Sequence, residues 1–299
     1  MEVGGYQLDL VERIAPSLGA TFVGKRDILL VARGKRGAKY ELELFQLPGF
    51  KSLRRGKVKS IATITRVGEQ HVLLMLPKDL DAASVNGWER EFEVRSVDDF
   101  GVAANFLEAM PGHVAAHPDG SLIAVAHDFG ALNVRDARTG ELISAYASKG
   151  VGGVAYSPDG RLLAAKEFEG ALKFFDAEEP GKKPLRSVRL GRGTAVAFHP
   201  QKPLVAAADK QAIRIVDADT AKVRSSIKVT KRESQGTIRQ MAFSPDGCLL
   251  VTATRSDNVV GLWNVEQDEF LGHVKEFDSA LSHVEFDEQG KYLLIATFK

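Results

Sequence analysis

The chain has 299 residues, with 40 Lys and Arg against 39 Asp and Glu, so the net charge is +1 and no overall field draws it onto nucleic acid or a membrane surface. A single cysteine, Cys248, excludes a disulfide scaffold and fits a reducing compartment, while 44% hydrophobic residues suffice for a sizeable core. Met1 to Tyr6 lacks the basic start and apolar run of a secretory leader, and no run approaches membrane-spanning length, so a cytoplasmic location is expected.

In chain order, residues 6–11 read as a strand-like piece with no partner nearby. A first unit follows, with strands at Thr21–Val23, Ile28–Val31, Tyr40–Phe45 and Ser52–Leu53. A second has Ile61–Thr65, Val72–Leu76, Glu91–Val94 and Asn105–Leu107, with a long connection from Pro77 to Trp88. Beyond residue 105 a tetrapeptide punctuates the chain: His117-Pro118-Asp119-Gly120, Ser157-Pro158-Asp159-Gly160, His199-Pro200-Gln201-Lys202, Ser244-Pro245-Asp246-Gly247 and a worn Asp287-Glu288-Gln289-Gly290. The steps are 40, 42, 45 and 43 residues. A fixed period of that size means one supersecondary unit copied in tandem.

Residues 152–190 show the unit. Val154-Ala155-Tyr156 precedes the Ser-Pro-Asp-Gly turn, whose Pro and Gly sit where a tight turn needs them. Leu162 to Ala165 is a strand apolar on both faces. A turn ending at Gly170 leads to Ala171–Phe175, and Glu178 to Pro184 leads to Leu185–Val188. Four short strands with no helical period make an antiparallel meander.

Third strands end on Val134-Arg135-Asp136, Phe174-Phe175-Asp176, Ile215-Val216-Asp217 and Leu262-Trp263-Asn264. With the tetrapeptide turn and the buried second strand, these residues resemble the WD-repeat β-propeller family over residues 105–299. The family's tryptophan survives at Trp263 alone, and Gly112-His113 is the one remnant of its Gly-His pair. The side-chain network that staples a family blade is therefore expected to be incomplete. The resemblance implies an all-β propeller of four-stranded antiparallel blades, and buried second strands beginning near Ile28, Val72, Leu122, Leu162, Leu204, Leu249 and Tyr292 make the expected number seven, a single domain over 1–299. Residues 1–11 would complete blade seven, residues 6–11 pairing with Tyr292–Thr297 to remove an exposed edge.

Chemistry-bearing motifs are sparse. The seven histidines show no metal-ligand spacing, and neither a Gly-x-Ser-x-Gly elbow nor a phosphate-binding loop occurs. No cofactor is expected. His117 and His199 fall in turns, and Glu167 and Glu169, flanking Phe168, read as structural or solvated carboxylates. Cys248 is expected buried in a strand.

Two basic runs stand out, Arg33-Lys35-Arg36-Lys39 and Lys51-Arg54-Arg55-Lys57-Lys59. In a propeller the loops joining strands two to three and four to one share one rim. Arg33, Arg36, Lys57, Lys59, Arg192, Lys210, Arg239 and Arg255 are assigned there. Asp119, Asp159, Asp246, Asp287 and the acidic turns after the third strands fall on the other rim. The family's usual role implies a non-enzymatic scaffold for a protein or peptide, as a subunit of a larger complex. The candidate contact residues are Arg33, Arg36, His113, His127, Phe168, Arg192, Arg239, Arg255 and His283. Arginines and histidines over an apolar floor suit an acidic or phosphorylated segment. The alternatives are a hydrolase or lactonase of the propeller kind, and nucleic-acid binding through the basic rim. The latter has Tyr40 as its one aromatic for stacking within the two runs.

Overall fold

A computed structural model describes residues 2–3, 6–7, 17–24, 28–34, 40–59, 61, 63–76, 89–148, 150–179, 183–210, 212–229, 237–254, 258–274, 277 and 279–297. A two-stranded pair, β1 (Glu2–Val3) with β2 (Tyr6–Gln7), comes first. Six four-stranded antiparallel sheets follow. The first holds β3 (Ser17–Val23), β4 (Ile28–Arg33), β5 (Tyr40–Gln46) and β6 (Lys51–Val58). The second holds β7 (Thr63–Val67), β8 (His71–Leu76), β9 (Glu89–Ser96) and β10 (Val102–Ala109). The third holds β11 (Pro111–Ala116), β12 (Leu122–His127), β13 (Leu132–Asp136) and β14 (Leu142–Tyr146). The fourth holds β15 (Val151–Tyr156), β16 (Leu162–Glu167), β17 (Ala171–Asp176) and β18 (Arg186–Arg189). The fifth holds β19 (Val196–Phe198), β20 (Leu204–Asp209), β21 (Ala212–Asp217) and β22 (Val223–Lys228). The sixth holds β23 (Ile238–Phe243), β24 (Leu249–Thr254), β25 (Val260–Asn264) and β26 (Glu269–Val274). β27 (Leu281–Phe286) pairs with β28 (Leu293–Thr297) as a two-stranded sheet.

The expectation of seven four-stranded blades is thus corrected to six among the described residues, plus the two-stranded sheet. The expected pairing of residues 6–11 with Tyr292–Thr297 is corrected as well. Tyr6 and Gln7 pair with Val3 and Glu2, and residues 8–11 lie outside the described residues. β27 packs beside β23 and β3, and Tyr292 and Leu294 pack on the Phe22, Leu29 and Val31 cluster of the first sheet.

Strand sequence follows depth. Second strands carry apolar residues at consecutive positions because each is covered on both faces by neighbouring sheets. Ile123, Ala124, Val125 and Ala126 have no exposed surface. Fourth strands alternate, as β10 does, because one face meets solvent. The tetrapeptide forms the turn between first and second strands, with Gly160 N donating to Ser157 O at 2.9 Å and Gly247 N to Ser244 O at 2.8 Å. Gly160 has φ +75, and a Cβ there would lie 2.4 Å from His117 Nε2 of the preceding sheet. Ser157 and Ser244 hydroxyls each accept from the backbone N–H five residues on, at 2.9 Å. In the worn copy Asp287 does the same for Tyr292 N at 2.6 Å. Cys248 lies in this turn, half-buried, and not buried in β24; Gly247 ends the turn one residue later than a strand start at 248 would need.

Candidate interaction face

Antiparallel order puts the strand-two-to-three and four-to-one loops on one face, here the upper face, and the other turns on the lower face. The acidic residues of the lower-face turns have a structural role. Asp136 Oδ1 accepts from Arg138 N and Thr139 N at 2.8 and 2.7 Å, Asp176 Oδ1 from Glu178 N and Glu179 N at 2.9 and 3.3 Å, and Asp217 Oδ1 from Thr220 N at 2.9 Å. Asn264 repeats the pattern with Glu266 N and Gln267 N at 3.0 and 3.1 Å. The short carboxylate replaces a missing backbone partner at each turn. Arg224 and Thr220 hold the Asp217 carboxyl down at about 2.

Beneath the upper face, buried carboxylates stand in for the incomplete staples. Glu43 binds Arg33 at 3.1 Å and Arg55 at 2.7 Å. Glu93 binds Arg95 at 2.7 Å, Glu167 binds Lys173 at 2.5 Å, and Asp209 binds Arg214 at 2.6 Å. Glu108 of β10 reaches the third sheet, taking Arg135 at 2.5 Å, Asn133 at 2.9 Å and His127 at 3.0 Å. In the sixth sheet Trp263 Nε1 donates to Thr252 Oγ1 at 3.0 Å.

These contacts sort the candidate residues. Arg33 is engaged by Glu43. His127 is placed in the interior, 7% exposed, between Glu108 and the Ala109 carbonyl, not out on a rim. Its hydrogen bond with Glu108 raises its pKa against the opposing burial. Arg36 and Arg255 lie outside the described residues. Lys51 to Lys57 are residues of the outer strand β6, a correction to the placement of Lys57 in a loop. Arg192 and Lys210 are exposed on adjoining upper loops, where Lys210 N donates to Arg192 O.

Phe168 is half-buried in the loop between β16 and β17. A Cβ on Gly150 would lie 3.2 Å from its ring and 2.4 Å from the Asp128 carbonyl. A Cβ on Gly152 would lie 3.0 Å from the same ring and 2.3 Å from Thr194. The Phe168 ring therefore lies against Gly150 and Gly152, which in turn sit against the Asp128 carbonyl and Thr194. Phe129, which the sequence reading passed over, is 80% exposed in the loop between β12 and β13. Its signal was available, since Phe129-Gly130 and Phe168-Glu169-Gly170 close equivalent loops.

His113, Arg239 and His283 come together from three inner strands, β11, β23 and β27. His113 pairs with Ala126 and His283 with Ala296, equivalent positions of their sheets, and Arg239 is the bulged residue beside the next equivalent, Gln240. Burial first, then the charges of Arg239 and His283, push His113 down to about 4. Arg239, expected in a loop, is half-buried on β23.

The WD domain, G-beta repeat family matches residues 225–264, from β22 through β25. The chain carries a WD repeat in a β-propeller fold. Chaetomium thermophilum Sqt1, solved bound to the N-terminus of the ribosomal protein L10, is 17% identical with a TM-score of 0.69, over 93% of this chain and 80% of that one. A chain from the crystal structure of the mitotic checkpoint complex is 14% identical with a TM-score of 0.71, over 98% of this chain and 94% of that one. At these identities the likeness is one of fold. No curated protein matches the sequence at significance. Among the described residues, no group of three His, Cys, Asp or Glu side chains could hold a metal, and no helix is long and apolar enough to cross a membrane.

Proposed function

We propose that this WD-repeat propeller is a non-enzymatic scaffold that holds a protein or peptide partner on its upper face. The observation that carries the reading is Phe129, 80% exposed, on the same face as the exposed cations Arg192 and Lys210. A large aromatic held out in water, on a face that also carries basic side chains, is the composition of a binding hot spot. Covering it on a partner is worth about 1.5–3 kcal/mol. The charges on that face favour an acidic segment and steer its approach. The resemblance in fold to Sqt1, solved with a bound protein segment, supports the same use of a propeller.

Phe129→Ser tests the reading. Its partners, isolated from the host and identified by mass spectrometry with the parent protein, should bind the variant at least about tenfold more weakly. The melting temperature should not move, because the side chain packs on little. Equal capture by Phe129→Ser would exclude this patch, and displacement of the partner by single-stranded nucleic acid would favour nucleic-acid binding instead.

A further inference from the structure

One buried cation reaches the upper face from beneath. Lys166 on β16 is 0% exposed. It lies opposite Gly153, just beyond the bulge of its first strand, and the matching places in four other sheets hold Ala32, Ala126, Ala253 and Ala296. A methyl group thus satisfies the packing at this place, and a buried charge there costs free energy that alanine does not. Lys166 shares its face of the sheet with Ala164 and Leu172, which pack on Val205 and Ala207 of the fifth sheet. Its side chain ends at the loop between β18 and β19, where Nζ donates to Gly191 O at 2.9 Å.

That loop carries Arg192 between two glycines. Close approach requires both: a Cβ on Gly191 would lie 1.7 Å from Asp209 Oδ1, and one on Gly193 2.5 Å from Ala208 O. Glycine leaves the backbone at its freest. The direction of the Arg192 side chain therefore depends on what holds the carbonyls beside it. Arg192 O accepts from Lys210 N, and Gly191 O accepts from Lys166. The next ties lie outside the loop, Leu190 N to Gly170 O at 2.8 Å and Ala208 N to Ala195 O at 2.9 Å. The carboxylates near the ammonium are engaged elsewhere, Asp209 by Arg214 at 2.6 Å and Glu167 by Lys173 at 2.5 Å. The charge of Lys166 is directed at one carbonyl, and an ionised donor makes a stronger bond than a neutral one.

We infer that Lys166 is a positioning residue for partner binding: its buried ammonium clasps the Gly191 carbonyl and so holds Arg192 out on the upper face for an acidic segment. This rests on the upper face being the docking face, while the clasp itself is read without a partner. Burial lowers the Lys166 pKa to about 8 against the opposing charges of Asp209 and Glu167. The other charged groups around it are Arg214 on β21, Lys173 on β17, and Arg192 and Lys210 on the loops. The clasp weakens as pH rises through about 8, because a neutral amine donates less strongly. Stability moves the other way. A folded value below the ordinary 10.5 means that the unfolded chain binds more protons, so the Lys166 contribution to stability rises between about pH 8 and about pH 10.5.

The test follows backbone order in the full chain by amide relaxation in NMR. In the parent at about pH 7, Arg192 and Gly193 should have order parameters of about 0.85, falling to about 0.6 or less in Lys166→Met. The melting temperature of Lys166→Met should hold or rise, because a buried charge is gone. The parent should lose the same order as pH rises above about 8, and Lys166→Met should show no such step. The step in the parent needs no variant, so a Met variant that failed to fold would leave the test standing. The partner identified with the parent protein should bind Lys166→Met about two- to tenfold more weakly, the range for fixing one mobile side chain. Unchanged order parameters in Lys166→Met, or no step in the parent, overturn the clasp. A loosened loop with undiminished partner affinity overturns the positioning role. Arg192→Ala binding as the parent does would instead place the failure in the docking reading, since the loop is measured without a partner.

Discussion

Glu108 shows how single residues replace a family's network. Its carboxylate is 4% exposed and gathers Arg135, Asn133 and His127 from the next sheet. Burial alone would raise its pKa, but bonds from His127 and Arg135 hold it below the ordinary carboxylate value. Arg135 also lies over the Phe106 ring at 4.8 Å. Glu108→Gln should cost about 3 kcal/mol, the low end for breaking a buried pair, because the Arg135 side chain keeps 15% exposure. Urea unfolding of the variant checks this. His127 gives the pH signature. Its folded-state pKa is raised above the ordinary 6.5, so the protonated form is the one stabilised. The contribution is complete below 6.5 and disappears as pH rises through the raised folded value. Stability should therefore decline as pH rises above about 6.5, and His127→Gln should flatten that decline. An unchanged slope in the variant would place the titrating group elsewhere.

The elements were legible where burial wrote a pattern. Second strands, apolar on both faces, and the Ser-Pro-Asp-Gly turns appear in the structure where the sequence puts them. Leu163 and Leu250 are 1% and 0% exposed. Cys248 was misplaced because a small apolar-like residue next to Leu249-Leu250 extends the strand pattern by one position, while the Asp246 carboxylate draws its N–H into the turn at 3.0 Å. Residues 6–11 were read as a strand for the last sheet on edge-covering grounds, yet Tyr6 and Gln7 pair locally with Val3 and Glu2. Trp263 sits at the join of element and network. It is 1% exposed, packs on Phe270 with centroids 4.7 Å apart, and gives its one N–H to Thr252. Trp263→Phe keeps the ring contact and strands the Thr252 hydroxyl, 3% exposed. It should cost about 1–3 kcal/mol, seen as a lower thermal midpoint. Thr252→Val in the Phe background should restore part of the loss, because the unpartnered hydroxyl is removed as well. No recovery would mean that the tryptophan acts through packing alone.

Across the whole molecule, the charged residues of the two faces are employed differently. The acids of the lower face hold turns: Asp136, Asp176 and Asp217 spend their oxygens on backbone N–H groups. The cations of the upper face have no such employment at Arg192 and Lys210. Sequence arithmetic could count charges per loop, but it could not tell a solvated carboxylate from a turn cap, nor see that Arg33 and His127 are drawn toward Glu43 and Glu108. It also missed Phe129, whose exposure is a property of the loop and not of the pattern. The central claim is that partners dock on the upper face. Its most direct test is the affinity of an identified partner for two charge-reversed proteins over a range of salt. Arg192→Glu with Lys210→Glu should lose binding, and should lose the parent's salt dependence with it, since exposed charges are screened over roughly 8 to 10 Å near physiological ionic strength. Glu178→Lys with Glu179→Lys, on the lower face, should bind as the parent does. Binding that survives the upper reversal and fails with the lower one would contradict the account.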